Sequence, residues 1–250
     1  MPTKKYGDRE VISYGRMSAL EEWEKILKRV GTQYDTYIKS GDCPFFYNED
    51  TNATHIANAL ASLGHPVLVR YRDKLGRSKK TVIPDIYCVI GNNRYLFEVK
   101  PASATEIVDP SDSSKYSPTL VKNIITSLIN AASQAKKNKY SDLISLESGQ
   151  NKFVGIISIA TISIKNETAE KQSYTSWYES NMHWFGEAME DVKKCLIKKG
   201  MKGLSFKYFL PLKKNSELGH YRERGKNYIA VGVIITLAVQ KIREEYKHQR

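Results

Sequence analysis

Residues 81–100 read TVIPDIYCVI, then GNN, then RYLFEVK. Two apolar runs rich in β-branched and aromatic residues flank Gly91-Asn92-Asn93, the pattern of a β-hairpin. Side chains alternate along a strand, so Glu98 and Lys100 share one face while Phe97 and Val99 share the other. Asp85 stands before the turn on the partner strand, near enough in space to share a site with Glu98. Two carboxylates and an ammonium thus gather at one end of an otherwise oily hairpin. Charges that close to a core are costly unless they are paired or bound to metal.

Such a group suits a hard divalent cation. Mg²⁺ takes oxygen ligands, commonly one or two carboxylates completed by water and substrate phosphate. The backbone carbonyl of Val99, between Glu98 and Lys100, is positioned by sequence to complete the shell. A lysine there can orient or deprotonate water, or stabilise charge growing on a phosphoryl group.

Pro84-Asp85, twelve intervening residues and Glu98-Val99-Lys100 resemble the signature of the PD-(D/E)xK nuclease superfamily. The wider strings IPDIY (83–87) and EVKPASA (98–104) are most similar to TnsA-type endonuclease subunits of cut-and-paste transposons. The resemblance spans residues 45–165, and its sharp part is 83–104. It implies that Asp85 and Glu98 are metal ligands, with Mg²⁺ as cofactor and Mn²⁺ as substitute, and that Lys100 is the catalytic lysine. It also implies a third acidic residue from the helix before the first strand. Glu49 and Asp50 are the candidates, and His55 is an alternative at a nearby position. The same two acids also satisfy a helix N-terminus without any catalytic role. Gln134 resembles a polar residue that some relatives hold near the phosphate.

The whole chain agrees with such chemistry without demanding it. It has 250 residues, enough for one large domain or two small ones. Its 41% hydrophobic and 26% charged content is that of a globular chain, which excludes a disordered one. The net charge of +12 draws polyanions, and a phosphate backbone is the expected partner. Cys43, Cys88 and Cys195 lie far apart, so neither a zinc site nor a disulfide framework is expected. A reducing, cytoplasmic and nucleoid-associated setting fits that usage. The N-terminus lacks an apolar signal core, and the longest oily run, residues 228–239, is too short for a membrane helix. It reads as a buried strand.

The spacing predicts a helix from a capping box at Ser18–Glu21 to about Val30, stopped by Gly31. A second helix is expected from about Asp50 to Leu63, ended by Gly64. A strand follows at 65–72, then a charged turn at 73–80, then the hairpin, closed by Pro101. Leu120 to Tyr140 repeats apolar residues at helical spacing, and 152–162 reads as a buried strand. This order matches what the resemblance requires: a restriction-endonuclease-like αβββαβ core of the α/β class, with a mixed central sheet flanked by helices. Residues 1–44 form an arm and helix, 45–165 the nuclease core, and 166–250 an α+β elaboration packed on it. That last segment contains a capping box at Ser176 opening a helix to Lys199, and paired strands at 203–212 and 226–239.

Lys79, Lys80, Arg222 and Arg224 are candidate contacts to nucleic acid, with Arg70 and Arg72 nearby. The chain contains no GxxxxGK[ST] loop, no GxGxxG, no GxSxG and no HExxH. The expected activity is therefore Mg²⁺-dependent hydrolysis of phosphodiesters in double-stranded DNA. The setting is either transposon end cleavage beside a transposase partner or restriction and defence as a homodimer. No membrane partner is expected. A non-catalytic nucleic-acid-binding module of the same fold and an RNA-directed nuclease are the rivals.

Overall fold

The computed structural model describes residues 5–6, 9–14, 21–40, 48–70, 73–74, 81–107, 118–140, 150–165, 190–198, 205–210, 219–223 and 226–242. The elements in order are β1 (Lys5–Tyr6), β2 (Arg9–Tyr14), α1 (Glu21–Lys39), α2 (Glu49–Ser62), β3 (Val67–Val69), β4 (Asp73–Lys74) and β5 (Thr81–Val82). After them come β6 (Ile86–Ile90), β7 (Asn93–Ile107), α3 (Pro118–Lys137), β8 (Asn151–Lys165), β9 (Ser205–Leu210), β10 (Gly219–Glu223) and β11 (Lys226–Ile242). The fold is α/β, an open mixed sheet flanked by helices.

Among the described residues, nine strands form one sheet in the order β1-β2-β9-β11-β8-β7-β6-β3, with β10 paired to β11 beside β9. Only β7 and β8 run parallel; every other pair is antiparallel. A parallel pair needs a crossover, and α3 supplies it. The strands expected near 203–212 and 226–239 do pair, as β9 and β11, and β11 lies along β8 for most of its length. The short β4–β5 ladder stands apart, on either side of the charged turn. No helix among the described residues is long and apolar enough to cross a membrane.

The two faces of β7 bury different chemistry. On one, Tyr95, Phe97 and Val99 join Phe153, Ile157 and Ile159 of β8 and Ile235, Leu237 and Val239 of β11, beneath Trp23, Ile26, Leu27 and Val30 of α1 and Ile56 and Leu60 of α2. Trp23 meets Phe97 edge-on at 4.9 Å between ring centres, and Tyr95 stacks on Phe153 at 4.9 Å. On the other face, Leu96 packs with Ala135 of α3 and with Tyr140 just beyond it.

The strand expected at 65–72 is extended only over Val67–Val69 among the described residues, and three further boundaries differ from the sequence expectation. Helix α1 runs through Gly31 to Lys39. Tyr34, fully buried, continues the stripe of Trp23, Ile26, Leu27 and Val30, and that packing outweighs the ~1 kcal/mol cost of a helical glycine. The capping box proposed for its start includes residues 18–20, which lie outside the described residues. Strand β7 likewise continues through Pro101 to Ile107. The carbonyl of Phe97 and the N–H of Val99 both point toward Asp85, so by alternation the missing N–H of Pro101 faces that side, not the ladder with β8. Finally, the run 81–90 is not one strand. Ile83-Pro84-Asp85 breaks it, and Asp85 stands just before β6. The helix proposed from Ser176 is described only over 190–198, where the chain is helical.

Candidate metal centre

The hairpin between β6 and β7 closes as a two-residue turn at Gly91-Asn92, with Ile90 opposite Asn93. Gly91 has φ 55, the left-handed region that glycine enters freely. The register sets Ile86 against Phe97, and the N–H of Asp85 donates to the carbonyl of Phe97 at 3.0 Å. The Asp85 carboxylate then turns along the edge of β7 and accepts the N–H of Val99 at 2.8 Å. This fixes Asp85 beside Glu98.

Glu49 arrives from elsewhere in the chain. Asn48 caps α2, its side chain accepting the N–H of Thr51 at 2.9 Å, and Glu49 is the first residue of the helix. Its carboxylate reaches over the sheet to Lys100, whose Nζ lies 2.8 Å from Glu49 Oε2 and 2.8 Å from Glu98 Oε1. Asp50, the other acidic candidate, turns instead to the Arg70 guanidinium. His55 is buried further along α2, its ring edge-on to Tyr37 at 4.8 Å, and is not part of the acidic group.

Glu49, Asp85 and Glu98 each present a carboxylate oxygen within 4.8 Å of the other two. Oxygens on opposite sides of a Mg²⁺ shell are about 4 Å apart, since each lies about 2.0–2.1 Å from the ion. The donor set is all hard oxygen, and small side-chain shifts close the remaining gap. These residues therefore fit a small divalent cation. Val99 contributes its N–H to holding Asp85, while its side chain belongs to the apolar face.

The electrostatics of the cluster are those of anions crowded out of water. Burial, then the charge of Glu98, pushes the Asp85 carboxyl up to about 7, against the pull of the Val99 N–H. Burial also raises Glu98, although hydrogen bonds from Lys100 and Tyr140 oppose it. For Lys100, burial acts downward, but its bonds to Glu49 and Glu98 prevail and hold it above the ordinary lysine value. Without a cation, the ammonium is the positive charge of the centre.

Three side chains were not legible in the sequence as parts of this centre. The Tyr140 hydroxyl, fully buried beyond α3, donates to Glu98 Oε2. Arg70, just after β3, donates its N–H to the Asp85 carbonyl at 2.9 Å and holds φ 51, a strained value for a residue with a side chain. Arg70 thereby ties the start of α2 to the bend carrying Asp85. Ser127 of α3 adds a hydrogen bond to the Lys100 carbonyl at 2.9 Å.

Of the remaining expected residues, Gln134 is half-buried on α3, and among the described residues no hydrogen bond joins its side chain to the cluster. Lys79, Lys80, Arg72 and Arg224 lie outside the described residues. Arg222 is on β10, opposite Asn227, with its backbone alone described. Comparison of the chain with protein-family models, with curated proteins and with solved structures gives no match.

Proposed function

We propose that this protein is a Mg²⁺-dependent endonuclease that hydrolyses phosphodiester bonds in double-stranded DNA, built on a restriction-endonuclease-like core of the PD-(D/E)xK kind. One observation carries the reading. Glu49, Asp85 and Glu98 converge from a helix start, a bend and a strand, and Lys100 sits among them. A surface salt bridge does not need three carboxylates, one of them with 0% exposure. The run α2, β3, β6, β7, α3, β8, with β3-β6-β7 antiparallel and β7-β8 parallel, supports the same core. The net charge of +12 supports a polyanionic substrate.

A bound divalent cation supplies Lewis-acid activation of water and neutralises charge on the phosphate. The chain's residues do the rest. Asp85, Glu98 and Glu49 would hold the cation, each oriented by its own partner: the Val99 N–H, the Tyr140 hydroxyl and Lys100. Lys100, kept cationic by its neighbours, is placed to shift from Glu49 to an incoming phosphate oxygen and stabilise the charge that develops there. The apolar β7 face fixes the strand on which Glu98 and Lys100 stand.

Supercoiled plasmid incubated with Mg²⁺ tests the reading. The intact chain should nick or linearise it, and Asp85→Ala and Lys100→Ala should each lower the rate by about 10²–10⁴-fold. Discrete fragments indicate a site-specific enzyme of restriction type. Cleavage that requires a transposase partner indicates transposon end processing. DNA binding that survives Asp85→Ala, with no metal-dependent cleavage by the intact chain under either condition, would show a non-catalytic binding module instead.

A further inference from the structure

The Glu98 carboxylate is guarded on both oxygens, but by groups of different character. Oε1 faces the Lys100 ammonium at 2.8 Å. That ammonium is partly exposed, on a four-carbon stem, and already shared with Glu49. It can withdraw when a divalent cation arrives. Oε2 accepts from the Tyr140 hydroxyl, and Tyr140 cannot withdraw. Its ring is fully buried in the cluster with Leu96 and Ala135, and its hydroxyl oxygen is also 3.3 Å from the Ile83 carbonyl, at the bend that carries Asp85. One oxygen is thus free to ligate and the other is capped.

We propose that Tyr140 is a specificity-determining residue that confines Glu98 to one ligating oxygen and so selects small octahedral cations over Ca²⁺. The inference rests on the reading of the acidic cluster as a divalent-cation centre. Mg²⁺ and Mn²⁺ take six ligands and accept carboxylates through single oxygens. Ca²⁺ takes six to eight and gains from a carboxylate that gives both. A fixed hydroxyl on Oε2 takes up one of its lone pairs and part of its charge, so it makes that second oxygen a poorer ligand for Ca²⁺ and leaves the single oxygen that Mg²⁺ uses untouched. Tyr140 touches neither cation nor phosphate; it acts through Glu98, as an outer partner that orients a ligand.

Calorimetric titration of Mg²⁺ and Ca²⁺ into the intact chain and into Tyr140→Phe tests this. The phenylalanine keeps the ring and removes the hydroxyl. The ratio of Ca²⁺ to Mg²⁺ affinity should rise by about tenfold or more, the scale on which outer partners act. A merely structural tyrosine would weaken both cations alike and leave the ratio unchanged, which overturns the proposal while sparing the metal centre. Failure of the intact chain to bind either cation overturns both. Should Tyr140→Phe not fold, the infrared difference spectrum of the intact chain with and without Ca²⁺ decides, its Glu98 bands assigned by their loss in Glu98→Gln. A wide separation between the two carboxylate stretches means one ligating oxygen, as proposed; a narrow one means two and overturns it.

Discussion

The two faces of β7 carry alternate residues of one strand, yet they answer to opposite physics. Tyr95, Phe97 and Val99 pack into a dry layer beneath α1 and α2, where every contact adds stability. Glu98 and Lys100 point the other way, into a cluster where anions are held close together and out of water. The first face stabilises the fold, and the second draws on that stability. Crowded carboxylates persist because the strand beneath them is fixed from the opposite side, a common division between scaffold and site.

The comparison breaks most visibly at Phe97. Its ring meets Trp23 edge-on and stacks on Tyr95, so Phe97→Ala should cost about 3–5 kcal/mol in urea unfolding. Its neighbour β8 has Gly155 directly opposite, and a Cβ there would fall within the Phe97 ring. That glycine leaves room for the ring, so little collapse can fill the hole that alanine leaves. A loss below ~1 kcal/mol would mean that the apolar face does not hold the strand.

Acid and metal sharpen the opposite face. Asp85 holds its proton more tightly folded than unfolded, at about 7 against an ordinary 3.8, and Glu98 shifts in the same direction. Their contribution is therefore complete below pH 4 and is lost as pH rises through 7. In metal-free buffer, the unfolding free energy from urea titration should fall between pH 5 and pH 8 by an amount on the order of 2 kcal/mol, less than the full shift because the two carboxyls feel each other's charge. Mg²⁺ binds the ionised form, so it should restore the loss at pH 8. Asp85→Asn should flatten the profile. A metal-free unfolding free energy that does not fall with pH would place these carboxyls in water.

The same contrast explains what could be read in the sequence. The hairpin was legible because strand periodicity and a Gly-Asn turn are local signals, and alternation alone put Glu98 beside Lys100. Glu49 was legible only as one of two adjacent helix-start acids. What separates it from Asp50 is Arg70, twenty residues away, and no spacing rule reports that pair. Tyr140 is one of sixteen tyrosines, and its bond to Glu98 spans 42 positions. Gly31 and Pro101 misled for a related reason. Local propensity marks them as ends, whereas buried neighbours in α1 and the one-sided pairing of β7 let both elements continue.

The smallest test lies where the charged face runs on across the sheet. Lys100 is opposite Ser158 on β8, and Ser158 is opposite Thr236 on β11, so the three side chains share one row. Ser158 and Thr236 are fully buried, and among the described residues neither hydroxyl has a hydrogen-bond partner. Such a hydroxyl is a cost, because water would have satisfied it in the unfolded chain. Thr236→Val keeps the shape and removes the cost, so it should raise stability by about 1 kcal/mol in the same urea titration and leave the Mg²⁺ affinity unchanged. A loss of similar size would mean that the hydroxyl is satisfied by a bound water. The polar row would then extend the charged face of β7, and the boundary between the two kinds of face would lie beyond β11 rather than at Lys100.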